Sequence, residues 1–183
     1  MLEMEWFNEP KQWQSQPDGA IEVTTDPGTD FWQKTHYGFQ RDNGHFYFRQ
    51  VEGDFQTDVK ISGGYRDLYD HAGLMVRVDA ANWLKCGIEF VEGVQYVSAV
   101  YTREFSDWSV TPLNPAPAAL YLRVKREKET FEVHYSLDGA TYSMLRLGYL
   151  AAGESVMVGI MAGAPDGKGF PVRFENLEIK GTP

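Results

Sequence analysis

Apolar and polar residues alternate with a period of two through most of the chain. In residues 55–61, Phe55, Val59 and Ile61 fall on one side of an extended backbone, and amide or charged side chains fall on the other. No window of a dozen residues keeps apolar side chains at helical spacing without an interrupting glycine or a run of β-branched and aromatic residues. The pattern therefore predicts a chain that is almost entirely β-strand.

Two consecutive segments predict a β-hairpin. Residues 120–126 alternate with three aliphatic side chains on one face, and residues 131–136 follow after a short polar break. The second segment ends near the Asp138-Gly139 step, where glycine supplies a positive φ at little cost. We expect these two strands to pair with each other.

Three central segments predict an antiparallel meander. Residues 73–79, 83–91 and 95–103 are separated by breaks of only a few residues and are apolar on both faces. Such strands are typical of a sheet that is covered on both sides. Residues 156–162 and 170–179 add two further strands near the end of the chain.

The order of these elements favours one fold class. Many short strands joined by turns, without helical crossovers, are typical of a two-sheet sandwich or a closed barrel. At 183 residues the chain fits a single domain, residues 1–183, and a jelly-roll sandwich is the favoured architecture. The proline-rich residues 111–118 are interpreted as a long surface loop.

Composition excludes several classes of protein. The net charge of −9 opposes binding to nucleic acid. The apolar stretches are far shorter than the roughly 20 residues of a membrane helix, and the acidic start of the chain does not resemble a secretory signal. The single cysteine, Cys86, agrees with a reducing compartment, so we expect a cytoplasmic location. The scattered histidines give no metal-ligand spacing, and no cofactor is expected.

Four segments resemble a known family: residues 31–39 (FWQKTHYGF), 70–77 (DHAGLMVR), 82–90 (NWLKCGIEF) and 106–109 (SDWS). It is a domain-of-unknown-function family of concanavalin A-like lectin/glucanase fold, and it includes the yeast regulation-of-enolase protein. The resemblance extends from Trp6 to Asn176. It implies a jelly roll of two curved antiparallel sheets with a concave face. One position departs from the pattern, since His71 stands where glutamine is expected.

Strand alternation selects the polar side chains that converge on one surface. Residues 84, 86 and 88 belong to the core face, so Trp83, Lys85 and Glu89 face away from it. The same reasoning turns Arg77 and Ser98 outward from the neighbouring strands. If the three strands are adjacent, these five residues form a polar floor with an aromatic edge.

Aromatic residues elsewhere supply candidate walls for this surface. Trp32 and His36, with Tyr37 beside them, lie in one aromatic segment, and Trp108 lies in another. Aromatic faces stack on the C–H surface of a sugar ring while charged and hydroxyl groups satisfy its hydroxyls. The competing interpretation is structural, since cross-strand ion pairs and buried tryptophans are ordinary features of sheets.

We also predict that Arg77 and Glu89 form a charge-assisted pair on this floor, because a short connection joins their strands. Nearby cations are expected to lower the pKa of Glu89.

Three functions remain open. The first is non-catalytic binding of a carbohydrate or another polyhydroxylated small molecule in the concave sheet. The second, implied by the family resemblance, is regulatory docking to a metabolic enzyme. The third is glycoside hydrolysis, which needs two carboxyl groups roughly 5–5.5 Å or roughly 6.5–9.5 Å apart. Glu89 and Glu92 point to opposite faces of their strand, so a hydrolase would need another acidic residue, for instance Glu104 or Asp107, within that distance of Glu89.

Overall fold

The computed structural model describes residues 4–182, which form two large antiparallel sheets and one small one. The first sheet has seven strands in the spatial order β1 (Glu5–Phe7), β6 (His45–Glu52), β15 (Ser155–Gly163), β8 (His71–Arg77), β9 (Asn82–Val91), β10 (Val94–Arg103) and β11 (Phe105–Pro112).

The second sheet also has seven strands. Their spatial order is β14 (Ser143–Tyr149), β13 (Thr130–Ser136), β12 (Leu120–Glu127), β7 (Phe55–Gly63), β16 (Pro171–Gly181), β3 (Ile21–Thr24) and β2 (Gln12–Ser15).

The main core lies between these two sheets. The inward side chains of β8 and β9 meet those of β7 and β12, and residues such as Leu74, Leu84, Val59 and Leu122 are almost completely buried there. Apolar burial of this kind contributes roughly 25 cal/mol per Å² removed from water. The strands that line this core present alternate residues to it, as the period-two pattern requires.

A small sheet covers the other face of the first sheet. It consists of β4 (Phe31–Gln33) and β5 (Gln40–Asp42), whose register pairs Trp32 with Arg41. Between it and the first sheet lies a second apolar cluster, which we call the outer cluster: Phe31, Trp32, Phe46, Phe48, Met75, Trp83, Val100 and Met161. The central strands are thus covered on both faces.

The structure confirms the fold predicted from the sequence, a concanavalin A-like β-sandwich without helices in residues 4–182. The hairpin of β12 and β13 and the meander of β8, β9 and β10 are both present. The predicted loop at residues 111–118 was wrong at its start, because Thr111 and Pro112 pair with β10 as the end of β11. The described part of the chain forms no helix that is long and apolar enough to cross a membrane.

Candidate functional site

A pocket of about 170 Å³ lies on the outer face of the first sheet, beside the small β4–β5 sheet. We call it the inner pocket. It is lined by Asp30, Trp32, Tyr37, Phe39, Arg41, Tyr69, Lys85, Glu89, Trp108, Pro165 and Asp166.

The floor of the inner pocket is organised around the Lys85 ammonium group. Lys85 Nζ donates to the Phe31 carbonyl at 2.8 Å and to Asp30 Oδ1 at 3.3 Å, and it lies 3.4 Å from His71 Nε2. Lys85 is 4% exposed, so a charge at this depth requires such partners. Its three N–H donors therefore all have protein acceptors.

The tautomer of His71 follows from its contacts. Its Nδ1 lies 2.8 Å from the Tyr69 carbonyl, which only accepts hydrogen bonds, so Nδ1 carries the ring proton and the unprotonated Nε2 of the neutral ring faces Lys85. Burial, together with the positive charge of Lys85, lowers the pKa of His71 to about 4. His71 thus acts as a neutral acceptor for the lysine.

Asp30 and Glu89 supply carboxylate oxygens on either side of this lysine. Asp30 Oδ1 accepts from the Phe31 N–H at 2.7 Å as well as from Lys85. Glu89 Oε2 accepts from Ser98 Oγ and from Trp108 Nε1, each at 2.8 Å. Asp30 Oδ2 and Glu89 Oε1 have no hydrogen-bond partner within residues 4–182. Both residues line the inner pocket, so these two oxygens are available to a ligand.

Five aromatic side chains form the walls. The Tyr37 and Tyr69 hydroxyls lie 2.8 Å apart, and this bond raises the pKa of Tyr69 to about 12. Tyr69 packs edge-on against Trp108, and Tyr37 packs edge-on against Trp32 and is stacked on Phe39. These contacts hold the rings in fixed relative positions.

A second cavity of about 460 Å³ adjoins the inner pocket, and we call it the outer groove. The two cavities share Trp32, Tyr37 and Trp108, and the outer groove adds Thr35, His36, Ser106 and Asp107. Lys34, His36 and Gly38 have positive φ angles, which fold the β4–β5 connection tightly over this region.

Most of the site residues predicted from the sequence lie at one of the two cavities. Lys85, Glu89, Trp32 and Trp108 line the inner pocket, while Ser98 lies beneath it and holds Glu89. His36 lies in the outer groove and is exposed.

Trp83 and Arg77 do not take part in either cavity. Trp83 is 0% exposed, because the β4–β5 sheet covers its end of β9 and its ring packs edge-on against Phe31. The prediction of a ligand-stacking Trp83 was therefore wrong. Arg77 is also buried and binds Asp42 through two hydrogen bonds of 2.7 and 2.8 Å.

The predicted Arg77–Glu89 pair was wrong as well. The β8–β9 register places Arg77 opposite Trp83 and Glu89 opposite His71. Those two positions of β9 are six residues apart, a distance of about 20 Å along a strand. The predicted lowering of the Glu89 pKa was also wrong: burial raises the pKa of Glu89, and the opposing effects of Lys85 and Ser98 do not reverse that direction.

Sequence reasoning missed the pocket residues that come from loops and from the small sheet: Asp30, Phe39, Arg41, Tyr69, Pro165 and Asp166. The signal that was present is the density of aromatic residues at positions 31–39, directly after Asp30. Tyr69 lies in the segment before β8 and has a positive φ of 65°. A tyrosine does not mark such a backbone conformation in the sequence, so its position in the pocket could not be predicted.

Besides Glu89, the inner pocket holds the carboxyl groups of Asp30 and Asp166, neither of which was proposed from the sequence. Asp107 lines the outer groove rather than the inner pocket, and its carboxylate binds Arg146 at 2.9 Å. Glu104 lies in the exposed turn between β10 and β11. Asp30 and Glu89 are thus the acidic residues beside Lys85 in the inner pocket, and Asp166 is a third acidic residue of its lining.

Residues 6–182 match the model of a family described as "Protein of unknown function (DUF1349)". The chain belongs to this family. A Saccharomyces cerevisiae relative named "Regulation of enolase protein 1" is 39% identical over 174 residues, which cover 95% of this chain and 87% of the relative. Membership in the DUF1349 family agrees with the resemblance found in the sequence.

Solved structures show the same fold. The crystal structure of a functionally unknown protein from S. cerevisiae has a TM-score of 0.93 at 37% identity, covering 98% of this chain and 97% of that one. The carbohydrate-binding module CBM66 from Bacillus subtilis has a TM-score of 0.62 at 13% identity, covering 96% and 95% of the two chains. At that identity the second likeness shows the fold alone.

Proposed function

We propose that this DUF1349 protein binds a polyhydroxylated molecule of the size of one sugar ring in the inner pocket, without altering it. The observation that carries the proposal is a pair of carboxylate oxygens without a hydrogen-bond partner in residues 4–182, Asp30 Oδ2 and Glu89 Oε1. They lie in a pocket walled by aromatic rings. These oxygens accept hydrogen bonds from hydroxyl groups, while the rings stack on C–H surfaces.

The size of the pocket supports a small ligand. Its volume of about 170 Å³ is below the roughly 300–1,000 Å³ of pockets for drug-sized molecules. The floor is also fixed in place, because Lys85, Ser98 and Trp108 hold the two carboxylates before any ligand arrives. A preformed site of this kind loses little conformational entropy on binding.

The fold likeness to CBM66, whose name describes a carbohydrate-binding module, is a supporting analogy. The analogy supports the proposal because the inner pocket of this chain independently combines aromatic walls with carboxylate acceptors, the groups that bind sugars.

Isothermal titration calorimetry against a panel of single-ring ligands tests the proposal. The panel contains D-glucose, D-galactose, D-mannose, D-fructose, D-xylose, L-arabinose and myo-inositol. We expect at least one member to bind with a dissociation constant of about 1 mM or tighter, equivalent to about −4 kcal/mol. Glu89→Gln, which removes the carboxylate charge, is expected to weaken that binding about tenfold or more. Absence of heat with the whole panel would reject the proposal.

A hydrolase would use the same acidic pair in different roles. The raised pKa of Glu89 is a property of a general acid. Asp30, however, is tied to both Lys85 and the Phe31 N–H, which suits an orienting group better than an attacking one. Incubation of the panel sugars as their p-nitrophenyl glycosides distinguishes the two, since a binding protein releases no p-nitrophenol.

The second candidate function is docking to a metabolic enzyme, which the name of the S. cerevisiae relative favours. The surface suited to docking a partner protein lies on β14, an edge strand. Its Met144, Leu147 and Tyr149 are 54%, 57% and 49% exposed. Apolar side chains exposed together on an edge strand are typical of interaction surfaces. This function would require the cytoplasmic location that the sequence predicts.

Sedimentation of the purified chain with purified yeast enolase tests docking. A complex that Leu147→Lys abolishes, with sugar binding intact, would support docking through β14. Independent sedimentation of the two proteins would count against it.

A further inference from the structure

We infer that the outer groove is a second binding subsite, so that the ligand is the end of a chain of at least two sugar rings. This inference rests on the proposed function of the inner pocket and assigns the class of ligand. The terminal ring would occupy the inner pocket, and the next ring would lie in the outer groove.

Volume is the first reason. The inner pocket, at about 170 Å³, is sized for one ring, whereas the adjoining outer groove has about 460 Å³. A single ring would leave the larger of the two cavities unused. A ligand of two or more rings would fill both.

The shared walls are the second reason. Trp32, Tyr37 and Trp108 each line both cavities, so a ligand in the inner pocket contacts the same side chains as one in the outer groove. Aromatic surface that serves two adjacent cavities is suited to consecutive rings of one molecule.

The polar groups of the outer groove are the third reason. The Thr35 hydroxyl and the His36 ring nitrogens make no hydrogen bond within the described residues, 4–182. The outer groove thus offers both donors and acceptors that a second ring can use.

The outer groove is also rigid. Ser106 Oγ accepts from the Gln33 N–H at 2.9 Å, and this bond ties β11 to β4 across the base of the groove. Trp32 Nε1 donates to the Thr35 carbonyl at 2.9 Å, which fixes the β4–β5 connection against the shared wall. Both subsites therefore keep their spacing, and a ligand that spans them gains affinity from the second ring without reordering the protein.

Calorimetry with ligands of increasing length tests the inference. The probes are xylose, xylobiose and xylotriose, together with the corresponding glucose and fructose oligomers of one, two and three rings. In the series that binds, we expect affinity to rise about tenfold or more from one ring to two, which is about 1.4 kcal/mol.

Thr35→Val provides a near-isosteric probe of the outer groove, because it removes the hydroxyl and keeps the backbone carbonyl that holds Trp32. We expect it to lower two-ring affinity about threefold to tenfold. The matched control is Thr111→Val. Thr111 is exposed, does not line the outer groove, and pairs with Val97 of β10, whose side chain lies in the main core. The control is expected to leave the length dependence unchanged.

The outcomes separate the two proposals. Equal affinity for one, two and three rings would overturn the second subsite and leave the inner-pocket proposal standing. An increase with length that Thr35→Val and Thr111→Val affect equally would place the second ring elsewhere and also overturn the inference. Absence of binding at every length would reject both.

Discussion

The Trp108 indole donates a hydrogen bond of 2.8 Å to Glu89 Oε2, although their strands are not neighbours. β10 lies between β9 and β11, and its Ser98 donates to the same carboxylate oxygen. A wall residue and a floor residue of the inner pocket are thereby fixed to each other across three strands. The position of the available oxygen, Glu89 Oε1, depends on this contact.

Trp108→Phe is expected to weaken sugar binding about tenfold while the protein stays folded. Phenylalanine keeps an aromatic wall but removes the N–H donor, and a hydrogen bond to a charged group contributes roughly 1.5–3 kcal/mol. Loss of that donor also favours the protonated carboxyl, so the pKa of Glu89 should rise further. Calorimetry at neutral pH measures the affinity, and unchanged affinity would show that the contact does not position a ligand-binding oxygen.

Trp83→Phe is the matched substitution outside the pocket. Trp83 is fully buried in the outer cluster, so the smaller ring should lower the free energy of unfolding by about 1–3 kcal/mol. Sugar affinity should stay within about twofold of the wild type. Urea denaturation and calorimetry check the two quantities, and a large loss of affinity at full stability would restore Trp83 as a ligand contact.

Arg77→Ala tests whether this buried cation is structural. Its guanidinium makes two hydrogen bonds to Asp42 and lies 4.6 Å from the Phe7 ring centre. Because the Asp42 side chain is 30% exposed and regains water, we expect a loss of about 1–3 kcal/mol in unfolding free energy, smaller than for a fully buried pair.

Arg77→Lys should recover only part of that loss, since lysine cannot reproduce the paired geometry. Both variants should bind sugar normally. Reduced binding with an unchanged melting temperature would contradict the structural role.

His71→Gln should remove a pH dependence of stability. The pKa of His71 falls from 6.5 to about 4 on folding, so the unfolded chain binds more protons than the native state between those values. The free energy of unfolding should therefore rise with pH across that window, by about 3 kcal/mol from this residue. Glutamine does not titrate, and it can still donate to the Tyr69 carbonyl.

Urea denaturation of both proteins at pH 4.5 and at pH 7 measures the effect. The difference between the two proteins isolates His71 from Glu89, whose raised pKa acts in the opposite direction. Parallel pH profiles for the two proteins would show that folding does not lower the pKa of His71.

Strand alternation predicted the side of the sheet for each central residue because β8, β9 and β10 are regular and bury their other face in the main core. It placed Lys85, Glu89 and Ser98 correctly on the outer face. Alternation does not reveal what covers a face, and so it could not show that the β4–β5 sheet encloses Trp83.

Register and loop conformation were harder to predict. The Val78 N–H donates to the Asn82 carbonyl, and this contact sets Arg77 opposite Trp83 and far from Glu89. Asp30 and Tyr69 reach the pocket from irregular segments whose path depends on tertiary contacts. β14 was not predicted because several of its apolar residues, such as Leu147, are exposed and mask the alternation.

The tryptophan indole signals of the ¹⁵N-labelled protein report directly whether a sugar enters the inner pocket. The chain has five tryptophans, and single substitutions assign each indole N–H. On titration with the sugar that binds best in calorimetry, we expect saturable shifts of the Trp32 and Trp108 signals, while the signals of Trp6, Trp13 and Trp83 stay unmoved. Shifts confined to Trp6 and Trp13, or no shift of any indole at saturating sugar, would contradict a sugar site in the inner pocket.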